Sequence, residues 1–106
     1  MRYKTNIAKL SSSLTLINKL HPVTFNWKAN NQPDVGLVAE EVAKVEPLLT
    51  FRNDKDEIEG VKYDRVAVVL LNAVNEQQRL IERQQKQIDA LLRLVCSSRR
   101  RTKACQ

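Results

Sequence analysis

The stretch VAVVLLNAVNEQQRLIERQQKQIDALLRLV, residues 66–95, decides the reading of this chain. Val74, Ile81, Ile88 and Val95 recur at seven-residue intervals, and Ala67 extends the series backwards. With these as a positions of a heptad, Leu70, Gln77, Gln84 and Leu91 occupy d. A strict seven-residue apolar spacing implies left-handed supercoiling, because a straight helix would drift away from the seam. β-Branched residues at a with glutamine at d depart from the leucine-at-d pattern of two-stranded zippers. A buried glutamine amide is costly unless it is hydrogen-bonded, and a threefold axis lets three copies satisfy one another in layers. The expectation is a three-stranded coiled coil with Ala67, Leu70, Val74, Gln77, Ile81, Gln84, Ile88, Leu91 and Val95 in its seam. The alternative, packing of this face on the same chain as an antiparallel hairpin, lacks a second helix of comparable length.

Both glycines and all three prolines precede Val61, so nothing interrupts a helix in the last 46 residues of the 106. Asp64 is the expected N-cap, and a helix over 64–97 is about 50 Å long at 1.5 Å per residue. A head of about 60 residues cannot cover such a helix, and chains of this size are often stabilised by oligomerisation. Within the helix, Val66-Ala67-Val68-Val69-Leu70-Leu71 is apolar nearly all round, as where the head and neighbouring chains both bury it.

Upstream, residues 5–20 place Ile7, Leu10, Leu14 and Ile17 on one helical face, ended by His21-Pro22. Ser11, Ser12 and Ser13 compete for backbone hydrogen bonds in its middle. Val23–Trp27 reads as a strand, 28–34 as a polar loop, and 35–38 as a second strand. A short helix follows over 39–45, closed by Pro47. Residues 48–51 make a third strand, and after a charged turn at 52–57 the segment 58–63 returns as its hairpin partner. The fold class is therefore α+β: a small helix-plus-β-hairpin head over 1–63, one long C-terminal helix over 64–97 forming a trimeric coiled coil, and a basic tail over 98–106 expected to be disordered.

Net charge is +6, but Arg99, Arg100, Arg101 and Lys103 account for most of it, leaving 14 basic against 12 acidic side chains elsewhere. Such a tail suits a solvated end, and it can also touch an anionic surface. Nucleic acid is not the expected partner: in basic-region zippers the basic run precedes the coiled coil, whereas here it follows. His21 stands alone, and Cys96 and Cys105 lack metal-site spacing, so no metal and no cofactor are expected. The two cysteines read as free thiols. No apolar run approaches the roughly 20 residues of a membrane span, and the first residues lack the apolar stretch of a signal peptide. A soluble chain is expected. Phe25 and Trp27 read as core or interface anchors. Gly36 is a lone glycine in a strand-to-helix passage and no phosphate loop. Glu40 and Glu41 open a helix, where acids favour the dipole.

Five segments in order, RYKTNI (2–7), HPVTFNWK (21–28), VGLVAEEVAKVEP (35–47), VKYDRV (61–66) and LLNAVNEQQRLIERQQKQI (70–88), resemble the chaperone-of-endosialidase family. These are the intramolecular chaperone and auto-processing domains at the C-terminus of phage tailspikes and related fibres. The resemblance covers about four fifths of the chain. It implies a domain that trimerises through its helices, guides folding of the fibre domain upstream, and is then released by a serine–lysine cut. It also implies a phage virion or the cytoplasm of a bacterial host during assembly as the setting. The family's cleavage motif is Ser-Asp-x-Arg-x-Lys-x-Asn-Ile, and Arg2, Lys4, Asn6 and Ile7 match its last four fixed positions. Lys4 takes the place of the general base, a role that needs a lysine neutral enough to accept the hydroxyl proton. The serine would lie five residues before Lys4, upstream of Met1, and the sequence does not contain it. The expectation for this chain is an inactive peptidase that acts as an assembly module. Glu40 stands where the family usually has glutamine.

Overall fold

The computed structural model describes residues 3–97 and 105. The element order is α1 (Leu14–Ile17), β1 (Val23–Asn26), β2 (Pro33–Gly36), α2 (Ala39–Val45), a 3₁₀ turn (Pro47–Leu49), β3 (Thr50–Arg52), β4 (Ile58–Val61) and α3 (Tyr63–Ser97). The class is α+β, with two antiparallel hairpins and a long C-terminal helix. The chain divides into two compact units, residues 1–73 and residues 74–106.

In the first unit the hairpins follow from their turns. β1 pairs with β2 from Val23 opposite Gly36 to Asn26 opposite Pro33. Asn31 takes a positive φ of 55° in the loop, a conformation asparagine tolerates better than most residues, and its N–H donates to the Trp27 carbonyl. β3 pairs with β4 with a register shift between Phe51 and Arg52. Its turn is built on Asn53, whose side-chain Oδ1 accepts from the N–H groups of Lys55 and Glu57. Helix α2 carries Glu40 and Glu41 in its first turn and Lys44 in its last, each opposite in sign to the helix end it faces.

The core of this unit is small. Val42 of α2, Leu49 of the 3₁₀ turn and Val69 of α3 are buried together, with Leu16, Ile17, Leu20, Leu37, Val61 and Val66 packed around them. Ala73 is also buried. Val66, Val69 and Ala73 step three and four residues along α3, the spacing of a single helical face. At Gly36 the backbone passes so close to Tyr63 that an added Cβ would lie 2.7 Å from the phenolic oxygen. At Gly60 a Cβ would meet the Phe51 ring at 2.6 Å.

The long helix expected over 5–20 is confined to Leu14–Ile17. Ser11–Ser13 decide this. Ser13 is buried, and the Asn72 amide donates 2.8 Å to its hydroxyl and 3.0 Å to the Ser11 carbonyl. A helix through the serines would commit that carbonyl to its own ladder. Ile7 and Leu10, expected on the buried face, are exposed instead. The strands expected at 35–38 and 48–51 are displaced by about two residues, because Val38 caps α2 and Pro47 starts a 3₁₀ turn. Asp64 lies inside the first turn of α3, where its carboxylate accepts from the Arg65 N–H.

In the second unit, residues 74–97 complete α3, and Cys96 is disulfide-bonded to Cys105. This corrects the expectation of free thiols. The Cα atoms are 5.6 Å apart, a span at which a bridge forms readily. The basic tail expected over 98–106 lies outside the described residues except for Cys105.

Candidate assembly interface

Each residue of α3 turns about 100° from its predecessor, so the a and d positions lie roughly a third of a turn from the Val66–Val69–Ala73 stripe. Ala67 and Leu70 belong to the first unit, and both are exposed while Val69 between them is buried. The head's core thus takes one stripe of α3 and leaves the other in solvent.

In the second unit the contrast is sharper. Val74 is 51% exposed, Ile81 56%, Ile88 48%, Leu91 60% and Val95 45%. Gln77 and Gln84 are exposed as well, and no described residue of this unit is buried. These seven side chains share one helical face by their spacing. Fully burying an aliphatic side chain contributes about 1.5–3 kcal/mol, and here five of them forgo about half of that.

The charges are sorted around the same helix. Between Val74 and Val95 the charged residues are Glu76, Arg79, Glu82, Arg83, Lys86, Asp89 and Arg93. All seven fall at b, c or f. The flanking e and g positions hold only glutamine and leucine: Gln78, Gln85, Leu92, Leu80, Gln87 and Leu94. The uncharged side therefore spans a, d, e and g, wider than the narrow stripe of a two-stranded zipper. The glutamines also divide. Gln78 donates to Glu82 and Gln85 to Asp89, each one turn ahead. The seam amides of Gln77 and Gln84 have no hydrogen-bond partner among the described residues.

Lys4 is exposed in an irregular segment that precedes α1. Asn6, two residues on, has a positive φ of 54°. Phe25 and Trp27 anchor the β1–β2 hairpin rather than the core. Their rings meet edge to face at 4.9 Å, and the Trp27 indole N–H donates 3.0 Å to Asp34 Oδ2. Asp34 also accepts from the Val35 N–H at 2.7 Å. The backbone bond first, and the indole bond second, hold its carboxyl below the ordinary value of 3.8. Tyr63 accepts the Leu37 N–H on its hydroxyl at 3.0 Å and so ties α3 to the end of the first hairpin.

The sequence reading missed Asn72 and Tyr63. Asn72 carried a signal: it is the sole polar residue between Val66 and Val74. Among the described residues no group of three or more metal-ligating side chains occurs, and no helix is long and apolar enough to cross a membrane.

No curated protein matches the chain. A family model does: the one described as chaperone of endosialidase matches residues 1–50. That segment includes RYKTNI, HPVTFNWK and VGLVAEEVAKVEP, while VKYDRV and the seam lie beyond it. Through these residues, just under half of its length, the chain is similar to the chaperone-of-endosialidase family.

Proposed function

We propose that this chain is the C-terminal assembly module of a fibre-type protein, forming a homotrimer through the α3 seam and templating the folding of the fibre domain upstream in its parent chain. The observation that carries the reading is the second stripe of α3: aliphatic side chains at heptad spacing, about half exposed, alternating with seam amides that have no partner. Three copies bury the aliphatic layers and give the glutamines one another. The physical work of such a module is registration. Three bundled helices hold the preceding segments of three chains in alignment at high effective concentration, and this removes much of the entropic barrier to an intertwined fibre.

Light scattering on the intact chain tests this directly. The expected molar mass is three times 12.2 kDa across a dilution series, and a monomer at every concentration overturns the reading. The paired substitution Ile81→Asp and Ile88→Asp places charges in two seam layers and should reduce the mass to that of one chain while the head stays folded.

A second reading concerns release. Lys4 lies within the matched residues 1–50; the resemblance of RYKTNI to the family's cleavage motif implies the role of base for it, and its exposure leaves the amine accessible to a nucleophile. A chain extended upstream with the motif's Ser-Asp should cut itself, seen as a smaller band on a denaturing gel. Lys4→Ala in the extended chain should abolish the cut. An extended chain that stays intact removes this reading and leaves the assembly role untouched.

A further inference from the structure

We infer that the two glutamine layers, Gln77 and Gln84, are binding sites for small monovalent anions on the axis of the assembled trimer; the inference rests on the trimeric reading of the seam. Three observations lead to it. The seam amides have no hydrogen-bond partner among the described residues, whereas their neighbours Gln78 and Gln85 are engaged by Glu82 and Asp89. The layers that bracket them are β-branched and aliphatic, Val74 before Gln77, Ile81 between the two, and Ile88 after Gln84. The a, d, e and g positions from Val74 to Val95 contain no carboxylate and no cation. The carboxylates of Glu82 and Asp89 stand at b, nearly opposite the d positions around the helix.

A desolvated amide must find partners or carry the cost of leaving its groups unpaired. Around a threefold axis each carbonyl oxygen can accept one N–H from the next chain, which closes a ring and uses one donor per residue. Each amide has two donors. The three remaining N–H groups can share the oxygens' second lone pairs or take an acceptor from outside the protein. A halide-sized anion fits the second role: it accepts several N–H bonds at once, and the aliphatic layers on either side shield it. The surroundings favour a negative guest, since four basic side chains between Val74 and Val95 outnumber three acidic ones. The two layers, seven residues apart, lie about 10 Å from each other along the helix, near the screening length at moderate salt, so both can be filled.

The test uses the intact chain, with the trimer first verified by light scattering. Thermal unfolding is followed in sodium chloride, sodium bromide and sodium gluconate at equal ionic strength. The expected result is a melting temperature a few degrees higher in the halides than in gluconate, and an anomalous bromide peak on the axis at the level of residues 77 and 84 in bromide-grown crystals. In the double variant Gln77→Leu, Gln84→Leu the trimer should persist, and its melting temperature should no longer respond to the anion. A wild-type trimer that melts alike in all three salts, with water at both layers, overturns the inference while leaving the assembly reading intact. A chain that is not trimeric overturns both, and the mass measurement distinguishes that case.

Discussion

Helix α3 passes through two different environments, and the comparison between them explains what the chain is built to do. From Tyr63 to Ala73 its Val66 and Val69 pack with Val42 and Leu49, Ala73 is buried as well, and the remaining apolar side chains stay exposed. From Val74 to Ser97 an equally regular stripe stays about half exposed, and no described residue there is buried. The same helical chemistry is satisfied within the subunit in one stretch and left open in the next. In proteins most helical stability comes from packing an amphipathic face rather than from propensity. On the trimeric reading proposed above, the second stretch depends on partners in a way that the first does not.

Placing a charge in each stripe should break the comparison most forcefully. Val69→Asp buries a carboxylate without a partner, a cost of several kcal/mol, and should abolish the cooperative thermal transition of the head at any protein concentration. Ile88→Asp meets only solvent in the monomer. It should leave the head's transition in place and instead remove the concentration dependence of helicity measured by circular dichroism. If both variants simply unfold, the two stretches are one cooperative unit and the contrast fails.

Cavity-forming changes sharpen the same comparison at lower amplitude. Leu49→Ala removes a buried side chain and should cost about 2–4 kcal/mol in denaturant unfolding. Leu91→Ala, 60% exposed in the single chain, should cost almost nothing at high dilution. A penalty of comparable size should emerge only as the chains associate. Equal penalties at all concentrations would mean that Leu91 has an intrachain partner.

A smaller effect is expected at Asn72. Its amide holds Ser13 and the Ser11 carbonyl where a longer helix would otherwise have formed. Asn72→Ala removes one donor from the buried Ser13 hydroxyl and one from the exposed Ser11 carbonyl, at about 1 kcal/mol. Hydrogen exchange should then quicken around residues 11–17 and remain unchanged beyond Val74.

The residues that were legible in the sequence are those whose role is periodic. Val74, Ile81 and Ile88 declare their face through spacing alone, and the β3–β4 hairpin declares itself through the charged turn at 52–57. Long-range polar contacts were not legible. Nothing local marks Asn72 as the partner of serines some 60 positions earlier, so the 5–20 segment read as a helix on its apolar spacing. Ile7 and Leu10 fit that spacing and are nevertheless exposed. Gly36 and Gly60 were opaque for a similar reason: their need for a missing side chain comes from Tyr63 and Phe51, which only the fold brings near. The Cys96–Cys105 bridge was missed because a spacing of nine permits a bond without requiring one.

The smallest effect concerns acid and the β1–β2 hairpin, which lies wholly in the self-sufficient unit. Asp34 holds the Val35 N–H and the Trp27 indole, and these bonds lower its carboxyl below 3.8. A carboxylate more acidic in the folded chain than in the unfolded one stabilises the fold above its ordinary value, and that contribution is lost as the pH falls through the lower, folded value. Because Asp34 is fully exposed, the loss should be slight and local. Trp27 is the sole tryptophan, so its fluorescence reports on this hairpin alone. Its emission should shift below about pH 4 while helicity measured by circular dichroism at fixed concentration stays constant. Asp34→Asn keeps an acceptor oxygen but removes the titration, so its emission should be flat over the same range. An acid step that survives in Asp34→Asn would assign the transition to another carboxylate, and one that lowers helicity at the same pH would mean that the hairpin and the α3 seam do not act independently.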